Sequence, residues 1–280
     1  MRPTLATHCG AGSSMRDLGG LAREAGEAGL KTLRSHRSAL DAAIAATVVL
    51  EDDPRTNAGT GSRMRVDGSI QMDAGLMDSR LRIGAVAAIS AVKNPILVAR
   101  AVMDTPHILL AGEGAVRFAR SRGLPRFNPA TPGARERLEE TLRRIRSGKV
   151  PPWARRWRNF TWDTVGAVAR DSRGRFAAAS STGGHAYMMP GRVGDSPIVG
   201  CGFYAGPAGA VTVTGVGEEM ARAVLSKHVY DLLEGGERAS SACEAGLGLF
   251  RRSFPVGIIA VDDRGVGEAC NRDMAWWASK

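Results

Sequence analysis

The chain of 280 residues has only four cysteines, Cys9, Cys201, Cys243 and Cys270, with no CxxC pair and no histidine at ligand spacing. That scarcity argues against a disulfide framework or a structural zinc site, and the cysteines read as buried thiols. The sequence also lacks a long apolar run. Its opening, MRPTLATHCGAGSS, is too short of hydrophobic residues for a secretory leader, and no stretch approaches a membrane span. A cytoplasmic location with no membrane partner is the expectation. No GxGxxG and no phosphate loop precedes a helix, so dinucleotide-binding and P-loop folds are set aside. Internal repeats and low-complexity tracts are absent as well.

What is present is a soluble composition, 44% hydrophobic and 24% charged, in a chain long enough for two ordinary domains or one large α/β domain. The net charge of +10 suggests nucleic acid until it is located. Residues 117–158 hold 13 Lys/Arg against 3 Asp/Glu, an excess equal to the whole net charge, so the remainder balances. This segment carries Pro125, Pro129, Pro132, Pro151 and Pro152 and reads as a helix set within a basic linker, about 125–163. Its aromatics, Trp153, Trp157 and Phe160, match no RNA-binding signature. Solvated surface, loosely packed, is therefore expected rather than a nucleic-acid partner.

Along the chain, LATHC (5–9) reads as a strand entering a glycine-rich turn, and residues 38–50 as a helix capped by Ser38. Asp67-Gly68 predicts a hairpin between short extended flanks. IGAVAAISAV reads as a strand, NPILVARAVMD as a helix with Pro95 in its first turn, and EGAVRFARSRG as a helix closed by Gly123. After the linker, TVGAVARDSRGRFAAASST reads as two extended segments joined at DSRG. A strand AVTVTG leads to one long helix over 217–234 and another over about 237–252. A last hairpin turns at Asp262–Gly265. Tight strand pairs with grouped helices predict packed sheets with helices outside.

The junction at Asp163–Thr164 is the most informative point. An Arg-rich, Pro-containing stretch stops there, and a small-residue β pattern opens on Thr164. Either Thr164 merely starts a strand, or the chain is cut before it. A cut would put a hydroxyl and a new α-amine on one residue, a nucleophile carrying its own base. Two further threonines sit at small-residue turns, Thr182 in STGG and Thr214 in TGVGE. Between them lies PGRVGDSP, with Arg192 and Asp195 three residues apart. At this spacing the two commonly form a surface ion pair. A guanidinium fork can instead hold an α-carboxylate, and a carboxylate an α-ammonium. The flanking glycines and Pro197 favour that second reading by fixing an irregular loop.

The chain resembles the plant-type asparaginase and isoaspartyl-peptidase family of N-terminal-nucleophile hydrolases. The resemblance rests on an ordered series: LEDDPRTNAGTGS (50–62), QMDAGLMD (71–78), KNPILVARAVM (93–103), TPHILLAGEGA (105–115), TVGAVA (164–169), STGG (181–184), PGRVGDSPIVG (190–200) and TGVGE (214–218). It covers about residues 4–120 and 161–272. It implies a four-layer αββα fold, and a precursor that cuts itself between Asp163 and Thr164 into an α fragment, 1–163, and a β fragment, 164–280. These would fold as one unit and assemble as a dimer of αβ heterodimers. By the same resemblance Thr164 is the nucleophile and Thr182 tunes its hydroxyl, while Thr214 and the Gly215 N–H form the oxyanion hole. Arg192 would take the substrate α-carboxylate and Asp195 its α-amine; Gly217 would border the amine site and Asn57 would shape the pocket. No cofactor is implied for the chemistry, but a structural sodium ion is, held by backbone carbonyls of Leu50, Glu51, Asp53, Thr56, Ala58 and Thr60. The implied substrates are L-asparagine and β-aspartyl dipeptides.

The sequence departs from the family pattern at Cys9, where glycine is usual, at Val216, at His185-Ala186-Tyr187 and in its last residues, CNRDMAWWASK. Asp163 is similar to the junction of the glycosylasparaginase branch, whereas Gly183 stands where that branch tends to have Asn. Three readings therefore compete with the leading one. They are an N4-glycosylasparaginase-like enzyme, an uncleaved inactive relative, and a non-enzymatic basic protein that binds nucleic acid.

Overall fold

The computed structural model describes residues 2–36, 38–149 and 164–279. In chain order its elements are β1 (Thr4–Ala11), α1 (Met15–His36), α2 (Ala39–Asp52), β2 (Met72–Asp78), β3 (Ile83–Ile89), α3 (Pro95–Val102), β4 (Leu109–Ala111), α4 (Gly112–Ser121), α5 (Pro132–Arg146), β5 (Val165–Arg170), β6 (Phe176–Thr182), β7 (Phe203–Gly206), β8 (Gly209–Gly215), α6 (Gly217–Ala223), α7 (Leu225–Glu234), α8 (Ala239–Gly248), β9 (Val256–Val261), β10 (Val266–Cys270) and β11 (Met274–Ala278). A seven-stranded sheet has the order β11-β1-β5-β6-β2-β3-β4, and a four-stranded sheet the order β10-β9-β8-β7.

The two sheets pack face to face, and this explains the strand sequences. The strands β1, β2, β5, β6, β8 and β9 are buried along their whole length, because one face meets helices and the other meets the opposite sheet. Such strands read as continuous runs of small and apolar residues rather than as alternating ones. Between the sheets lie Ala6, Val168, Phe176, Phe203, Ile259 and Met274. On the far side of the larger sheet, Leu5, Leu40, Leu50, Leu76 and Ile96 form a core with α1–α4. On the far side of the smaller sheet, Val211, Val213, Val229 and Ile258 pack against α7 and α8. Helix, sheet, sheet and helix are thus four layers, as the sequence led us to expect. The sheets approach closely where Gly75 faces Phe203: a Cβ on Gly75 would lie 2.1 Å from the Phe203 ring.

Most local expectations are met for the reasons given. Ser38 caps α2, its side chain accepting from the Asp41 N–H at 3.2 Å. Pro95 opens α3, and Gly123 ends the α4 region with φ +77°. Three expectations need correction. Asp67-Gly68 does form a tight turn, with the Gly68 N–H donating to Arg65 O at 2.9 Å. Its flanks, however, form no hairpin, because β2 pairs instead with β3 and β6. The helix read over 217–234 is broken into α6 and α7 at Val224, whose φ of +47° is left-handed. Third, the basic segment is not loosely packed throughout. Helix α5 buries Ala134 and Thr141. The turn before it is tied to the body where the Gly61 N–H donates to Pro129 O at 3.1 Å and the Phe127 N–H to Ala91 O at 3.1 Å. Trp153, Trp157, Phe160 and Asp163 lie outside the described residues. Four elements escaped the sequence reading, among them the short strands β4 and β7. The others are α1 and β11, which pairs with β1 and joins the two ends of the chain.

The four cysteines form no disulfide. Cys9 packs in the helix-side core with its Sγ 3.9 Å from Leu18 O, so the departure at this position is turned away from the space between the sheets. Among the described residues, no helix is long and apolar enough to cross a membrane.

Candidate active site

Strand register brings the first two threonines together. In the antiparallel pair β5–β6, Val165 faces Ser181, which leaves Thr164 and Thr182 side by side at the same end. Their hydroxyl oxygens are 3.3 Å apart, and Thr164 is only 6% exposed. The third threonine comes from the other sheet. Thr214, near the end of β8, accepts the Thr164 N–H at 3.4 Å and the Ala11 N–H at 3.1 Å on its Oγ1. With two donors filling its lone pairs, the Thr214 hydroxyl is left to donate its own proton. Gly215 follows with φ +140°, and a Cβ there would lie 2.0 Å from Pro255 O, so the bend beside Thr214 requires glycine.

Asn57, from the loop after α2, closes one wall. Its backbone carbonyl accepts the Gly183 N–H at 2.7 Å, its Nδ2 donates to Gly184 O, and its Oδ1 accepts from the Arg63 N–H at 2.9 Å. A Cβ at Gly183 would lie 2.5 Å from Ser62 Cβ and 2.6 Å from Asn57 Oδ1. The wall therefore admits no side chain at position 183. The Thr182 hydroxyl also accepts the Gly184 N–H at 3.0 Å, which anchors the STGG turn.

The Arg192–Asp195 loop lies against the start of α6. Arg192 forms a two-pronged pair with Glu218, Nε to Oε1 at 3.0 Å and Nη2 to Oε2 at 2.9 Å. The pair is well shielded, with side-chain exposures of 14% and 29%. Asp195 is buried, its Oδ2 has no hydrogen-bond partner among the described residues, and burial raises its pKa to about 7 despite the attraction of Arg192. Gly217 sits between them. A Cβ there would lie 2.7 Å from Asp195 Oδ1 and 3.0 Å from Arg192 Nη2. The missing side chain leaves a gap with a carboxylate on one side and a guanidinium on the other.

The six carbonyl residues of the 50–60 loop are also placed together in part. The Thr56 hydroxyl lies 2.7 Å from Leu50 O, 3.1 Å from Asp53 O and 3.5 Å from Ala58 O. Glu51 O instead accepts the Thr60 N–H at 2.7 Å. Glu51 has a second attachment through its buried carboxyl, which accepts from Ser181 Oγ at 2.6 Å and from the Ile96 N–H at 3.0 Å. Burial pushes that carboxyl up to about 8, with both hydrogen bonds opposing the rise.

These observations place the Thr164 and Thr182 hydroxyls side by side with Thr214 against Thr164, and set the Arg192–Glu218 pair and Asp195 around Gly217. The family model described as Asparaginase matches residues 1–280. The chain belongs to the asparaginase family. It is 44% identical over 261 residues to the plant-type L-asparaginase of Pyrococcus abyssi, covering 89% of this chain and 85% of that one. It is 38% identical over 296 residues to the isoaspartyl peptidase/L-asparaginase of Bos taurus, covering 100% of this chain and 94% of that one. It is 41% identical over 251 residues to the isoaspartyl peptidase of Salmonella typhimurium, covering 85% and 79%.

In this asparaginase-family chain several residues near the site were not legible from sequence. Glu218 closes the TGVGE motif, and nothing in the motif names Arg192 as its partner. Asp73 is buried under the loop that carries Arg192 and Asp195, accepting the Ala88 N–H at 2.7 Å and approaching the Gly194 N–H at 3.5 Å. Burial raises its pKa. Arg65 is fully buried and donates to Met189 O at 2.9 Å and Gln71 O at 3.1 Å. His8 is buried behind Gly166, where burial drives its pKa down to about 3 and keeps the ring neutral. His185 is likewise buried and held at about 3, by burial first and then by Arg192, which makes it part of the wall. A sequence search for side chains flanking the glycine-rich motifs would have found Glu218 and Asp73. Nothing local signals the burial of Arg65.

Proposed function

We propose that this protein is a self-cleaving amidohydrolase that releases L-aspartate from L-asparagine and from β-aspartyl dipeptides. The juxtaposition of Thr164, Thr182 and Thr214 supports it most directly. In maturation the Thr164 hydroxyl attacks the Asp163 carbonyl, the acyl group passes from nitrogen to oxygen, and water hydrolyses the ester. The product is a free α-amine on Thr164 and a carboxylate on Asp163. That amine then serves as the base for the same hydroxyl. In turnover the hydroxyl attacks the substrate side-chain amide, ammonia or an amino acid leaves, and water releases aspartate from the acyl-enzyme. Thr182 holds the nucleophile's oxygen. Thr214, with the Gly215 N–H, donates to the developing oxyanion, an interaction worth ~10²–10³ in rate per donor. Arg192 binds the α-carboxylate, Asp195 the α-ammonium, and Gly217 leaves the room for both.

The fragments 1–163 and 164–280 would remain one folded unit, because β5 and β6 of the second lie between β1 and β2 of the first. The gathering of Leu50, Asp53 and Ala58 carbonyls around one hydroxyl suits a hard cation such as sodium. Those three carbonyls, with those of Glu51, Thr56 and Thr60, would hold it and steady the loop carrying Asn57. A dimer of αβ units and a cytoplasmic setting complete the proposal, the latter in keeping with four cysteines and no disulfide. Gly183, hemmed in by Ser62 and Asn57, favours the asparaginase and isoaspartyl side over a glycosylasparaginase.

Intact mass under denaturing conditions tests maturation. Two fragments meeting at Asp163–Thr164 are expected for the native chain. Thr164→Ala should give one chain without hydrolase activity, and Thr164→Ser a slower cut. Cleavage of the alanine variant at that bond would sink the mechanism.

A further inference from the structure

Arg192 and Asp195 are opposite charges three residues apart in one shielded loop, and attraction between such groups grows as water is removed. Left alone they would be expected to close on one another. They do not: the ion pair of Arg192 is with Glu218, and Asp195 enters no ion pair among the described residues. The separation between them is small. Asp195 Oδ1 and Arg192 Nη2 both lie within 3.0 Å of the single point where a Cβ on Gly217 would stand. A modest rotation of the guanidinium would fill that gap and neutralise both charges.

Glu218 is placed to prevent this. It stands on the first turn of α6 and takes the side edge of the guanidinium through Nε and Nη2. A guanidinium has five N–H donors, so the end edge keeps the second Nη2 hydrogen and Nη1, whose contact is with the weak acceptor Met188 Sδ at 4.0 Å. Asp73, the other carboxylate nearby, cannot substitute. Its oxygens face the Ala88 and Gly194 N–H groups and so hold the backbone of the loop. We propose that Glu218 is a charge-separating positioning residue, which by gripping Arg192 side-on keeps the guanidinium from closing onto Asp195 and so keeps the receptor open for the two ends of an α-amino acid. This rests on the reading of Arg192 and Asp195 as the substrate grip.

The experiment measures kcat and KM for L-asparagine by ammonia release from self-cleaved protein, with fragment masses confirming maturation of each variant. Glu218→Ala is expected to raise KM ~10–100-fold, the scale of losing one charge-assisted hydrogen bond, with kcat changing much less. Glu218→Gln keeps the length and one accepting oxygen, so it should fall between the native protein and Glu218→Ala. It also serves should the alanine variant fail to fold. In an Asp195→Asn background there is no charge for Arg192 to close on, and Glu218→Ala should cost at most a few-fold. A KM unchanged or lowered in both Glu218 variants would overturn the proposal, since it would mean that Glu218 is idle or merely competes with substrate. So would an undiminished loss in the Asp195→Asn background. Arg192→Ala separates the two levels: an unaltered kcat/KM there would overturn the substrate grip itself, whereas a large loss there with silent Glu218 variants would overturn only the role of Glu218.

Discussion

Asp195 should weaken the protein that uses it, and Asp195→Asn measures by how much. Burial lifts the Asp195 pKa from 3.8 to about 7, with Arg192 opposing the rise and Glu218 and Asp73 adding to it. The folded chain therefore holds its proton more tightly than the unfolded chain does. Well below pH 3.8 both states are protonated and nothing is lost. As pH rises toward 7 the unfolded chain ionises first and the folded state becomes progressively disfavoured; above about 7 the loss is complete. The interval from 3.8 to about 7 corresponds to roughly 4 kcal/mol at full ionisation. Water entry and local relaxation reduce that, so Asp195→Asn should gain ~1–4 kcal/mol at pH 8. For a chain of this size that is a rise in Tm of roughly 2–12 °C. Both proteins should carry Thr164→Ala, so that a continuous chain is melted. The gain should shrink by more than half between pH 8 and pH 5 and nearly vanish by pH 4. In the self-cleaving background the same substitution should cost ~10²-fold or more in kcat/KM for L-asparagine, since the α-ammonium loses its counter-charge. A variant no more stable than its parent at pH 8, or a gain that ignores pH, would refute the reasoning.

Arg192→Lys keeps the charge but loses the fork, and should lower kcat/KM for L-asparagine tenfold to several hundredfold with self-cleavage intact, as read by mass and ammonia release. Gly217→Ala should leave Tm within roughly 3 °C, because alanine suits the start of a helix. Its methyl, 2.7 Å from Asp195 Oδ1, should nevertheless depress kcat/KM by ~10²-fold or more; normal kinetics would move the α-end of the substrate elsewhere. Val224→Gly relieves a β-branched residue at φ +47° and should raise stability by ~0.5–1.5 kcal/mol in a thermal melt, less what the half-exposed side chain contributes by packing. At physiological salt the protein should show no sequence-preferring binding to DNA or RNA in a titration; submicromolar, sequence-dependent binding would restore the nucleic-acid reading of the basic segment.

Much of this protein was open to reading in one dimension because its signals are local. A cap at Ser38, a proline opening α3, glycine at position 123 and the DSRG turn act within a few residues, so their chemistry survives without the fold. The ordered series of small-residue motifs was equally legible, and with it the family and the proposed roles of Thr164, Arg192 and Asp195. Charge placement was legible only in outline. The +10 excess could be assigned to one segment, but not that α5 within it packs beside Gly61. The helix read over 217–234 failed because nothing in a run of helix formers announces a left-handed valine. Its break serves packing that the run cannot express, as Val224 meets Gly200 and the Lys227 N–H reaches Gly200 O.

The partners of each group were decided only in three dimensions. By itself the sequence determined which residues were candidates for chemistry, since a threonine at a motif boundary and a guanidinium near a carboxylate are properties of residue type and spacing. The tertiary structure decided what each one faces: strand register set Thr164 beside Thr182, the packing of two sheets brought Thr214 to Thr164, and the start of α6 gave Arg192 to Glu218 rather than to Asp195. Hydrogen bonds and ion pairs act over a few ångströms, so a pairing between residues 26 or 50 positions apart exists only after the chain has closed that distance.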